Sequence, residues 1–190
     1  MKKGEEKAGK KNGKKKKSIV REALSWIFYF ILICGAAYLV VNYVVERTEV
    51  WGESMYPALS DGDQLIVDMI SYRFTDPKRF DIVVFPFQYQ EDTYYIKRII
   101  GLPGETVQIV DGVIYINGEI LEDSYGNEMI RNPGLASAEI TLGDQEYFVL
   151  GDNRNNSTDS REPSVGNITR DQIIGKAVLR IWPFSSFGLL

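Results

Sequence analysis

Apolar and polar positions change rhythm twice along this chain. Residues 2–17 are lysine- and glycine-rich with no apolar periodicity, which predicts disorder. Ala23 to Val45 then runs 23 residues without a charged side chain. As a helix that run would extend about 34 Å, enough to cross the hydrocarbon of a bilayer. Trp26 and Tyr43 stand near its ends, where amphipathic rings favour the interface. The run is longer than the apolar stretch of a cleaved leader. Val44-Val45-Glu46-Arg47 also offers no small-x-small exit, so an uncleaved anchor is expected.

Beyond Val45 the rhythm is that of strands and turns. Leu65 to Met69 is short and apolar, and Asp81 to Phe85 is a β-branched run closed by Pro86. Thr93 to Ile100 alternates, with Tyr95, Lys97 and Ile99 on one face and Tyr94, Ile96, Arg98 and Ile100 on the other. Val107–Val110, Val113–Ile116 and Glu119–Leu121 are separated by Asp111-Gly112 and Asn117-Gly118. Both dipeptides suit two-residue hairpin turns, which need positive φ. Ser124 to Ala138 is polar and predicts a long surface loop. Glu146–Leu150 and Gly175–Ile181 predict two more strands, the latter the last. The apolar tail, residues 182–190, fits contact with lipid and packing on the core equally well. The expected fold is mainly β: one N-terminal transmembrane helix, then an extracytoplasmic antiparallel β domain. The expected divisions are a basic tail over residues 1–22, an anchor over 23–45 and a catalytic domain over 46–190.

Charge adds a direction. The net charge of −4 hides ten Lys/Arg and three Glu in residues 1–22, against twelve Lys/Arg and 23 Asp/Glu in the rest. Basic residues ahead of an anchor hold the N-terminus in the cytoplasm, so a single-pass topology with residues 46–190 outside is expected. Read alone, Lys14 to Lys17 resembles a nucleic-acid patch. The apolar run behind it redirects that reading to the membrane, and no nucleic-acid partner is expected.

Composition removes several chemistries. There is no histidine, which excludes Ser-His-Asp and Cys-His arrangements. The single cysteine, Cys34, lies in the apolar run, leaving the domain no disulfide and no thiol nucleophile. Zinc would have carboxylates alone, a rare set. Neither a metal nor another cofactor is expected.

A serine protease would then need a different base. Ser54 follows Gly52 and Glu53 in a turn, where a serine is usually a surface hydrogen-bonding group. The Gly-x-Ser-x-Gly elbow requires glycine where this chain has Tyr56. Three lysines follow the anchor: Lys78, Lys97 and Lys176. Lys78 lies in a polar turn and Lys176 at a strand start. Lys97 lies mid-strand beside Ile96, Ile99 and Ile100. An edge-strand lysine that blocks aggregation fits this spacing as well as a base does. Burial would decide: desolvation lowers a lysine pKa by roughly 3–5 units, and a neutral amine can take the Ser54 proton. The Ser54 backbone N–H is a natural oxyanion donor. Ser54 lies nine residues past Val45, hence within about 30 Å of the anchor's end.

Four stretches in order resemble the bacterial type I signal peptidases, membrane-bound Ser–Lys endopeptidases. Gly52-Glu53-Ser54-Met55-Tyr56-Pro57-Ala58-Leu59 resembles the nucleophile box, and Gly62-Asp63-Gln64-Leu65-Ile66-Val67 the next. Tyr95 to Glu105 resembles the general-base box, and Gly151 to Arg161 the last. The resemblance implies Ser54 as nucleophile, Lys97 as base and Ser157 as the hydroxyl that hydrogen-bonds and orients the lysine. Asp159 and Arg161 resemble a bracing pair, with Asp152 and Arg154 also structural; without the resemblance these charges read as a turn network. Two positions depart from the pattern. Gly52 stands where some members carry a serine that completes the oxyanion hole, leaving a backbone N–H there or water to serve. Phe80 stands where glycine is frequent.

The resemblance further implies a signal-peptidase type of β domain in the short form common in Gram-positive bacteria. Implied partners are the signal peptides of secreted preproteins, membrane lipid and the secretion machinery. Small side chains are implied at −1 and −3 of the substrate. Ala136-Ser137-Ala138 carries that pattern internally, so self-cleavage after Ala138 stands beside chance as its explanation. Two rivals remain. A repressor-type Ser–Lys autoprotease lacks an anchor and carries a helix-turn-helix, absent from this sequence. A tethered, inactive binding domain would not need both Ser54 and Lys97.

Overall fold

The computed structural model describes residues 21, 22, 24–35, 38, 45–126 and 128–190. The chain divides into two compact units, Met1–Tyr43 and Val44–Leu190. In the first unit residues 24–35 are helical and expose their large apolar side chains. Among the described residues no helix is long and apolar enough to cross a membrane. The expected basic tail lies outside the described residues except for Arg21 and Glu22, and so do residues 23, 36, 37 and 39–44 of the expected anchor.

The second unit is built of antiparallel strands: β1 (Val45–Glu49), β2 (Gln64–Asp68), β3 (Ile82–Pro86), β4 (Tyr94–Gly101), β5 (Thr106–Val110), β6 (Val113–Ile116), β7 (Glu119–Ile120), β8 (Ile140–Thr141), β9 (Glu146–Leu150), β10 (Ile168–Thr169), β11 (Gly175–Trp182) and β12 (Gly188–Leu189). The larger sheet runs β1-β2-β11-β3-β4-β9-β10, with β12 added to β11. The smaller runs β7-β6-β5-β8.

The small sheet follows from its turns. Asp111 and Asn117 take φ of 48° and 53°, and the glycines after them 79° and 81°. Positive φ at both central residues gives the turn whose twist matches the flanking strands. The resulting register leaves Val107, Ile109, Ile114 and Ile116 on one face, packed with Ile100, Phe148 and Leu150 of the large sheet. Burial of these aliphatic side chains, each contributing about 1.5–3 kcal/mol, fastens the two sheets together.

Sheet order corrects the alternative for Lys97. β4 lies between β3 and β9, and its residues Lys97 to Gly101 are all buried. Lys97 is therefore no edge-strand gatekeeper. The Ser124–Ala138 stretch is not simply a surface loop: Ile130 and Ala136 enter the core, and Gly134–Ser137 forms a 3-10 turn. Fully buried Ala136 cannot be offered in extended form without unpacking the domain, which removes the support for self-cleavage after Ala138. Nor is β11 the last strand, because β12 pairs with it. In the tail, Leu190 packs beside Met55 and Leu59 while Phe184, Phe187 and Leu189 stay exposed.

Candidate active site

The Ser54 turn is held from beneath by two fully buried side chains, Met55 and Leu59. Leu59 N–H donates to the Met55 carbonyl at 2.9 Å and Tyr56 N–H to the Glu53 carbonyl at 3.1 Å. Gly52 enters this turn at φ +83°, a conformation that favours glycine. Its N–H donates to Asp61 Oδ1 at 2.6 Å. That bond corrects the assignment of Gly52 to the oxyanion hole, because its only backbone donor is already spent. The Ser54 N–H, in contrast, donates to no described residue.

Lys97 reaches this turn from β4. Its Nζ lies 2.8 Å from Ser54 Oγ and donates to the Ile96 carbonyl at 3.0 Å. The side chain is 4% exposed. Burial draws its pKa down to about 8, although the Asp159 and Asp152 carboxylates pull the other way. The Tyr95 ring, stacked on Phe87 at 4.6 Å, stands 5.0 Å from the amine and walls it. A cleft of about 350 Å³ opens beside the pair, with Val50, Val84, Tyr95 and Ile96 among its walls.

The third segment of the site is Gly151–Arg161, which follows β9 and carries a set of buried charges. Asp152 takes a bidentate contact from Arg98, at 2.8 and 2.6 Å, with both side chains buried. Asp159 takes another from Arg161, at 2.8 and 2.9 Å, and its Oδ2 also accepts the Gly151 N–H at 3.1 Å. Arg154 pairs with Asp123 at 2.5 Å rather than with Asp152. Breaking one member of such a buried pair costs about 3–5 kcal/mol, because the other is left charged and unpaired. Ser157 Oγ is buried beside these groups without a hydrogen-bond partner. The expected Ser157–Lys97 hydrogen bond is thus not formed in this state, and Nζ bonds instead to Ser54 and the Ile96 carbonyl.

A sequence profile described as "Signal peptidase, peptidase S26" matches residues 23–182. The chain belongs to this family. It is a family of serine endopeptidases, and the chain is an enzyme of that class. The chain is similar to a probable signal peptidase I-2 of Synechocystis sp., 40% identical over 154 residues, 78% of this chain and 68% of that protein. It is similar to signal peptidase IB of Staphylococcus aureus, 32% identical over 182 residues, 88% of this chain and 93% of that protein. A solved signal peptidase I from Enterococcus faecalis is 34% identical, with a TM-score of 0.43, covering 54% of this chain and 97% of that one.

Three residues in this signal-peptidase site were not singled out by the sequence. Arg98 had a signal, a second charge inside an apolar strand. Asp123 had none, because its partner is remote in the chain. Asn153 lay within the last box but carried no charge to mark it.

Proposed function

We propose that this chain is a membrane-anchored endopeptidase that removes signal peptides from exported preproteins with a Ser54–Lys97 dyad. The observation that carries the reading is the 2.8 Å approach of the buried amine to the hydroxyl. With its pKa near 8, roughly a tenth of the amine is neutral at pH 7.

The neutral amine takes the Ser54 proton as Oγ attacks the carbonyl carbon of the −1 residue. Charge moves onto the substrate oxygen, where the Ser54 N–H stabilises it. The Lys97 ammonium then gives its proton to the leaving amine, the C–N bond breaks and an ester on Ser54 remains. Water attacks that ester, yielding a proton to Lys97, and the proton returns to Ser54 Oγ as the acid leaves. Ser157 Oγ has no hydrogen-bond partner of its own, which leaves its hydroxyl available to orient the amine. Asp152, Arg154, Asp159 and Arg161 brace the site through their buried pairs.

The substrate lies extended in the cleft, with small side chains at −1 and −3 set against its apolar lining of Val50, Val84 and Ile96. Residues 23–45 anchor the chain with the basic tail in the cytoplasm. Residues 46–190 then work at the outer membrane–water boundary, in contact with lipid and within reach of the secretion machinery. Protease added to intact cells is expected to digest this domain; protection until the cells are permeabilised would reverse the topology.

The direct test uses a preprotein with an Ala-x-Ala site in detergent. The wild type is expected to trim it, and Ser54→Ala and Lys97→Ala to leave it whole. Trimming by either variant would end the dyad reading.

A further inference from the structure

Asn153 makes two hydrogen bonds to the nucleophile turn. Its backbone N–H donates to the Ser54 carbonyl at 3.0 Å, and its side-chain Nδ2 donates to the Glu53 carbonyl at 3.0 Å. The second bond has a consequence for the neighbouring atom. The Glu53–Ser54 peptide is planar, and in the trans form its C=O and N–H point in opposite directions. Whatever fixes the Glu53 carbonyl therefore also fixes the direction of the Ser54 N–H. That N–H donates to no described residue, and the Gly52 N–H close by is already bonded to Asp61.

We infer that Asn153 is a positioning residue that aims the Ser54 N–H at the oxyanion of the tetrahedral intermediate. The inference rests on the proposed attack by Ser54. The amide of Asn153 acts through the peptide and does not touch the substrate. A hydrogen bond at the carbonyl end also polarises the peptide, which makes its N–H a stronger donor. The orientation of the Asn153 amide follows from its partner: a carbonyl oxygen accepts from Nδ2, whereas Oδ1 in that place would repel it. The Tyr56 N–H holds the same carbonyl at 3.1 Å from within the turn, and the Asn153 amide adds a bond from outside it, tying the Glu53 peptide to the last box as well.

The test replaces Asn153 in the full chain in detergent, assayed on a peptide substrate over a range of pH. Asn153→Ala removes only the side-chain bond, because the backbone N–H to Ser54 remains. Asn153→Asp keeps the shape but sets a carboxylate against a carbonyl, and it provides the reading if the alanine variant does not fold. Oxyanion donors are worth about 100- to 1,000-fold in kcat, so misaiming one is expected to cost about 10- to 100-fold. KM and the pH midpoint are expected to stay at wild-type values, and the melting temperature within about 4 °C. Affinity for a peptide boronic acid, which forms a tetrahedral adduct on Ser54, is expected to fall in parallel with kcat. An unchanged kcat in either variant overturns the inference. So does a loss accompanied by an equal rise in KM or a moved pH midpoint, since that marks a general disturbance of the site. Ser54→Ala and Lys97→Ala run alongside separate the two failures: if they retain activity, the dyad reading fails with the inference. If only the Asn153 variants retain it, the inference fails alone.

Discussion

Gly151 lies directly against the Ser54 backbone, so that a Cβ on residue 151 would press into both the Ser54 carbonyl oxygen and Ser157 Oγ. The nucleophile turn and the last box thus meet at a position with room for hydrogen alone. Gly151→Ala is expected to destabilise the domain by about 1–3 kcal/mol, the usual cost of overpacking. It is also expected to lower kcat/KM at least 100-fold, because an ångström of displacement at the nucleophile costs about that much. Thermal melts and peptide cleavage on the same preparation check both. Full activity in the alanine variant would mean that the two segments are looser than this contact implies.

The pH dependence follows from Lys97. In the proposed dyad the neutral amine is the base, and that form grows as pH rises through a pKa of about 8. Cleavage is therefore expected to be weak in acid, half-maximal near pH 8 and level above it. Initial rates at saturating and at low substrate, between pH 5 and 10, measure this. A profile flat from acid to neutral pH would rule out a lysine base.

The same burial has an opposite sign for stability. The folded pKa of Lys97 lies below its unfolded value, so the unfolded chain holds the extra proton between them. Below pH 8 both states are protonated and the folded protein carries the full penalty of a buried ammonium. The penalty fades as pH rises from about 8 towards the unfolded value near 10.4. Lys97→Met is accordingly expected to be more stable than wild type at pH 7, by about 2–3 kcal/mol, and inactive. The gain is expected to shrink above pH 9 in denaturant titrations. A variant less stable at pH 7 would show that the pairing of the amine outweighs its desolvation.

Local rules made parts of this architecture readable. The hairpins at Asp111-Gly112 and Asn117-Gly118 are legible because few residue pairs tolerate two positive φ angles in succession. An ammonium among isoleucines marks Lys97, yet an edge strand could carry the same pattern. What decides is sheet order, in which β9 pairs with β4 on the side away from β3 and leaves β4 in the interior. That pairing joins remote segments and has no local signature. β1 escaped notice because Val45-Glu46-Arg47-Thr48-Glu49 forms a mostly polar edge with little burial. The bond that occupies the Gly52 N–H comes from Asp61, on the far side of the turn, and depends on how the turn closes.

Phe80 offers a test of backbone strain near the site. It adopts φ +71°, the left-handed region, which explains why glycine suits this position. Its ring packs on the core cluster and lies 5.0 Å from the Tyr125 ring, and its carbonyl accepts from Arg98 at 2.9 Å. Phe80→Gly loses the ring contacts, worth about 2–3 kcal/mol, but sheds about 1–2 kcal/mol of strain. Phe80→Ala loses the same contacts and keeps the strain. Both variants are therefore expected to be less stable than wild type, with alanine the worse by about 1 kcal/mol. That order reverses the usual one, in which glycine is the more destabilising of the two. Equilibrium unfolding of the three proteins decides it: a glycine variant less stable than the alanine variant would mean that Phe80 is not held at positive φ.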